Sequence, residues 1–113
     1  MKKALFVTLL LLASTTLFAQ IKVANSVWRD KDYQNKPNAV QLTFGDKYVA
    51  MQMLYYGEPQ YGYGKEWLCT FEIDGGLVII RDASGQSKLT LTLTIKDGKL
   101  YWSALQVIFE MVK

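Results

Sequence analysis

The chain has 113 residues, half of them hydrophobic, with 13 Lys+Arg, 10 Asp+Glu and no histidine, for a formal charge of +3. That length holds one domain at most. The missing histidine removes the commonest general base, the usual zinc ligand and every Ser-His or Cys-His arrangement. No Lys/Arg cluster offers a footprint for phosphates, which argues against a nucleic-acid partner.

Residues 1–19 read as a secretory signal peptide. Lys2 and Lys3 form a charged start, Ala4 to Ala13 is apolar apart from Thr8, and Ser14 to Ala19 ends on a small residue before Gln20. The run is shorter than the roughly 20 apolar residues a membrane span needs, so no span is expected after cleavage. The expected product is a single domain, residues 20–113, in the periplasm or the medium. Both leader lysines are lost with it, so the mature charge is nearly balanced. Cys69 is the only cysteine, which excludes an intramolecular disulfide in that oxidising compartment.

Val27-Trp28 is the apolar part of a first strand. Asp30 to Asn38, polar and carrying Pro37, reads as a connection. Val40, Leu42 and Phe44 alternate with Gln41 and Thr43 in a second strand. A two-residue turn at Gly45-Asp46 pairs Leu42 with Val49 and Val40 with Met51. Val49, Met51, Met53 and Tyr55 then share the inner face of a third strand. Tyr56 to Lys65, with three glycines and Pro59, is expected to hold no regular element.

Trp67, Cys69, Phe71 and Ile73 alternate with Leu68, Thr70 and Glu72, which places Cys69 inside as a small hydrophobe. Asp74-Gly75-Gly76 closes a hairpin into Leu77 to Asp82. A two-residue loop there buries Val78 and Ile80, and a three-residue loop buries Leu77 and Ile79. Ala83 to Ser87 is a further turn. Leu89 to Lys96 alternates strictly, Asp97-Gly98 has the composition of a type I′ turn, and Leu100 to Trp102 returns. Val107 to Val112 is the last strand, burying Val107, Phe109 and Met111.

Eight short-connected strands and no useful amphipathic helix make an all-β protein. The expected fold is an eight-stranded antiparallel up-and-down barrel, with a two-sheet β-sandwich as the alternative. Closure removes unpaired edges, and eight strands give an interior that side chains just fill or that holds one small ligand.

With Trp28 in its first strand and seven meander strands after it, the secreted chain resembles the lipocalin-like (calycin) barrels, above all the short bacterial members. Those proteins open with Gly-x-Trp; here Ser26-Val27-Trp28 puts serine in the glycine position. The basic residue that stacks on that tryptophan has Lys113 as its candidate. The resemblance implies an up-and-down barrel and specifies no ligand.

Two kinds of site are candidates. Tyr56, Tyr61 and Tyr63, with Glu58, lie in a Tyr/Gly-rich loop whose composition suits protein recognition. Trp28, Met51, Met53, Trp67 and Trp102 are candidates for lining the barrel. Asp46, Asp74 and Asp97 sit in turns and support the turns themselves. Glu58 and Glu66, beside the tyrosine loop, are the acids nearest a candidate site. No enzyme activity, cofactor or metal is implied. The expected function is an extracytoplasmic binding module for a protein partner. The alternatives are a carrier of a small apolar ligand and an envelope-associated domain with a solid core.

Overall fold

Alternation of apolar and polar residues sets the strands, and the ladders join them into a closed ring. The computed structural model describes residues 23–62, 65–84 and 90–112. The expected leader 1–19, the mature start at Gln20, Tyr63, most of the turn after Ser84, Leu89 and Lys113 lie outside the described residues.

Among the described residues nine strands follow one another: β1 (Val27–Asp30), β2 (Ala39–Phe44), β3 (Tyr48–Tyr55), β4 (Glu58–Pro59), β5 (Glu66–Asp74), β6 (Leu77–Asp82), β7 (Thr90–Lys96), β8 (Lys99–Trp102) and β9 (Val107–Met111). Short 3-10 turns occupy Tyr33–Asn35 and Ser103–Leu105. Apart from the two-residue β4, each strand pairs antiparallel with its neighbours in sequence, β3 pairing directly with β5. β9 returns to β1 through Trp28↔Met111, Arg29↔Glu110 and Asp30↔Phe109. The result is a closed eight-stranded antiparallel barrel, consistent with a lipocalin-like fold, and not a sandwich.

The two ends of the barrel differ. At one end, tight turns join β2 to β3, β5 to β6, and β7 to β8. In the last of these Asp97 (φ 54°) and Gly98 (φ 72°) form the expected type I′ turn, with Lys96 facing Lys99 and Ile95 facing Leu100. Asp74 faces Leu77, so Gly75-Gly76 is a two-residue loop and Val78 and Ile80 are the buried pair.

The β2–β3 turn departs from expectation. Leu42 faces Met51 and Val40 faces Met53, while the Gly45 N–H donates to the Tyr48 carbonyl. The two-residue loop is therefore Asp46-Lys47, one residue later than the composition suggests. The N-terminal segment accounts for the shift: the Asn25 N–H donates to the Gly45 carbonyl at 3.3 Å, which keeps Gly45 in the ladder and leaves Asp46 and Lys47 as the loop. Moving a turn by one residue slides the register by two, so the inner face is unchanged.

The N-terminal segment closes this end. Val23 and Trp28 are buried, the Trp28 indole donates to Ser26 Oγ at 2.6 Å, and the Ser26 hydroxyl donates to the Val23 carbonyl. Serine in the glycine position thus gives a buried indole N–H the acceptor it needs, where an orphaned donor costs about 1–3 kcal/mol. Leu42, Phe44, Val49, Val78, Ile80, Leu93, Leu100 and Phe109 fill the space above it. Cys69 is fully buried among them. Met111 corrects the expectation for the last strand. It sits in the final pair with Trp28, at the edge of the barrel, and is exposed.

Candidate functional site: the cleft at the open end

The opposite end carries the connections from β1 to β2, β3 to β5, β6 to β7 and β8 to β9, and there the described residues leave the interior unfilled. A cleft of about 440 Å³ opens between the strand ends, lined by Asp30, Lys36, Asn38, Ala39, Val40, Met51, Met53, Trp67, Trp102, Leu105 and Val107. Its walls are mostly apolar. The polar exceptions are Asp30, Lys36 and Asn38.

Asp30 corrects the reading of 30–38 as a connection. It is the last residue of β1, pairs with Phe109, and shares the inward parity of Trp28. Its side chain is 3% exposed. One carboxylate oxygen accepts the Asp32 backbone N–H at 2.9 Å, and the other accepts Lys36 Nζ at 2.9 Å. A carboxylate in an apolar wall is tolerated when it is paired and hydrogen-bonded in this way.

Lys36 reaches Asp30 because the β1–β2 connection is pinned over the rim. The Lys31 N–H donates to the Ile108 carbonyl, and the Asn35 N–H donates to Asp32. On the outer face the Arg29 guanidinium lies over the Tyr33 ring, 4.7 Å from its centre, and donates through Nε to Gln41. The Tyr33 ring also lies beneath Gly57, where a Cβ would come within 3.3 Å of it. Gly57 has φ 86°, so both its conformation and this close approach call for glycine. The Tyr56 N–H then donates to the Lys36 carbonyl at 3.0 Å, joining the connection to the tyrosine segment. Lys36 itself is extended, as the residue before Pro37 should be.

The tyrosine segment contains a regular element after all. Tyr56 (φ 47°) and Gly57 form a tight turn, after which Glu58 and Pro59 pair back onto Tyr55 and Leu54. Met53 accepts the Gln60 N–H and donates to the Lys65 carbonyl. The chain therefore leaves the ladder after Gln60 and rejoins the same edge at Lys65. Proline is accommodated because it closes a two-residue edge ribbon.

Tyr55 is another correction: it shares the parity of Met51 and Met53 but is 55% exposed. The ladders from β3 to β2 and to β5 have ended before Tyr55, whose partner among the described residues is the β4 ribbon, so the ring lies past the barrel wall. Tyr55 and Tyr56 stack edge-to-face at 4.9 Å, both exposed, and Tyr61 is 78% exposed.

Of the residues singled out from sequence, Met51, Met53, Trp67 and Trp102 line the cleft. Trp28 does not; it lies buried at the closed end. Tyr56, Glu58 and Tyr61 are exposed on the rim segment and do not line the cleft. Asp30, Lys36, Leu105 and Val107 were not singled out as lining residues. The Trp28-x-Asp30 spacing carries the signal for Asp30, since a strand one pair longer turns that carboxylate inward.

Among the described residues no three His, Cys, Asp or Glu side chains converge as a metal site, and no helix is long and apolar enough to cross a membrane. Burial, and next to it the Asp82 charge, raises the pKa of the Cys69 thiol. What the cleft offers chemically is an apolar chamber with one fixed carboxylate and one ammonium. Compared with known protein families, curated proteins and solved structures, the chain finds no match.

Proposed function

We propose that the protein is an extracytoplasmic binding module that takes a small, mainly apolar ligand in the cleft at the open end of its barrel. The observation that carries this reading is the cleft itself. Its volume of about 440 Å³ falls within the range of small-molecule sites, and its lining follows their pattern of apolar walls with few polar groups. The same feature favours a ligand carrier over a solid-core domain. Export rests on the order of residues 1–19. Kinship with the short bacterial calycin-type barrels rests on the closed meander with Trp28 in its first strand.

The test is titration with an apolar dye that fluoresces on leaving water. Saturable binding is expected, and Met53→Trp, which adds bulk at the cleft, should abolish it without lowering the melting temperature. Dye binding unchanged by Met53→Trp would refute the reading.

One observation favours a second reading, recognition of a protein partner through the rim. Tyr55, Tyr56 and Tyr61 are all exposed on one protruding segment, and tyrosine gives contact area at low entropic cost. In that case Tyr61→Ala leaves stability within about 0.5 kcal/mol and abolishes capture of the partner. Destabilisation typical of aromatic deletion, about 3–5 kcal/mol, would mark Tyr61 as packing instead.

A further inference from the structure

We propose that the cleft selects ligands whose polar end is a protonated amine, and that the ligand's ammonium takes the place of Lys36 on Asp30. The inference rests on the cleft being a ligand site and adds the chemistry of the ligand's head group.

The two members of the ion pair are held very differently. Asp30 cannot leave: it is part of β1, pairs with Phe109 of β9, is buried, and has one carboxylate oxygen fixed by the Asp32 N–H. Lys36 can. Its backbone is held by the Tyr56 N–H, but its side chain hangs from an irregular connection and is 36% exposed. A lysine ammonium is strongly hydrated and sits on a flexible stem, so it can swing into water while its backbone stays put. The exchangeable element of the site is therefore a cation, and the permanent one is an anion.

Three kinds of head group meet this arrangement differently. An ammonium can replace Lys36, so that Asp30 stays paired and Lys36 gains hydration. A neutral hydroxyl leaves the pair intact and gains no charge contact. A carboxylate drawn to Lys36 comes to rest against the fixed Asp30 carboxylate, in a site where like charges repel more strongly than in water. Trp67 and Trp102 line the same cleft, and indole attracts a cation best among the aromatic rings. Val40, Met51, Met53 and Leu105 suit an alkyl or aryl body.

The experiment compares octylamine, octanol and octanoate by isothermal titration of the intact protein near neutral pH, where the amine and the acid are both ionised. Octylamine should bind more tightly than octanol by about tenfold or more, the ratio equivalent to roughly 1.4 kcal/mol. Octanoate should bind most weakly. Asp30→Asn should bring octylamine down to the level of octanol. Lys36→Met, which removes the internal competitor, should tighten octylamine more than it changes octanol. Melting curves with and without octylamine report whether each variant is folded, and the amine should raise the melting temperature of Lys36→Met more than that of the parent.

If octanol binds and octylamine has no advantage, the head-group inference falls and the cleft reading stands. If none of the three binds, both fall. Octanoate binding best, with that preference lost in Lys36→Met, would reverse the assignment and make Lys36 the ligand-holding charge. Should Asp30→Asn fail to fold, the absence of any gain in octylamine affinity in Lys36→Met overturns the proposal by itself.

Discussion

The ion pair at the cleft predicts an asymmetry in stability. Asp30 and Lys36 are 2.9 Å apart, but their side chains are 3% and 36% exposed. Lys36→Met leaves a buried carboxylate with a single hydrogen bond, from the Asp32 N–H. Breaking a buried pair in this way costs about 3–5 kcal/mol, and the open cleft beside Asp30 admits water, which favours the lower end, about 3 kcal/mol. Asp30→Asn has a milder effect. The asparagine oxygen can still accept the Asp32 N–H, and the freed ammonium can hydrate, so the loss is about 1 kcal/mol, one net hydrogen bond. Removing the exposed partner is thus expected to destabilise more than neutralising the buried one, by about 2 kcal/mol. Urea unfolding followed by tryptophan fluorescence measures both, and domains of typical stability, about 5–15 kcal/mol, survive either change. Equal losses, or a larger one for Asp30→Asn, would show that Asp30 is solvated and that the pair is a surface contact.

Two further predictions concern the frame. Gly98→Val places a β-branched residue at φ 72° where an added Cβ meets no atom within 4 Å, so the cost is backbone strain alone, about 1–3 kcal/mol in chemical denaturation. A change within error would mean that the turn rebuilds. The Cys69 pKa is raised by burial and by Asp82, so the native state favours the neutral thiol. Its contribution is complete below the ordinary thiol range and is lost as pH climbs through that range towards the higher folded pKa. The stability gap between the parent and Cys69→Ala should therefore shrink with rising alkalinity, and a gap that widens would contradict the sign.

Much of this frame was legible because period-2 alternation and turn composition are local signals. Leu91, Leu93 and Ile95 could face only one way, and Asp97-Gly98 could hardly be other than a type I′ turn. The Gly75-Gly76 loop was not decidable from its own residues; the buried Val78–Ile80 pair decides it through contacts across the sheet. Long-range partners also account for the misreadings. The Asn25 N–H holds Gly45 in the ladder and out of the β2–β3 turn, and the β4 ribbon rescued pairing in a segment rich in glycine and proline. Parity predicted a buried Tyr55 because parity does not know where the opposite wall stops. The cleft was half legible. Its apolar lining follows from strand parity, but Asp30 and Lys36 both fall in the polar stretch Asp30 to Asn38 that reads as a connection. Only the strap held by Tyr33 and Tyr56 brings them together.

Methyl resonances of the methionines offer the most direct measurement. Met51 and Met53 line the cleft, whereas Met111 sits at the closed end beside Trp28. In carbon-13 methyl spectra of the protein titrated with octanol, Met51 and Met53 should shift together and saturate while Met111 stays still. Saturable movement confined to Met111, or none at Met51 and Met53, would contradict a ligand site at the open end.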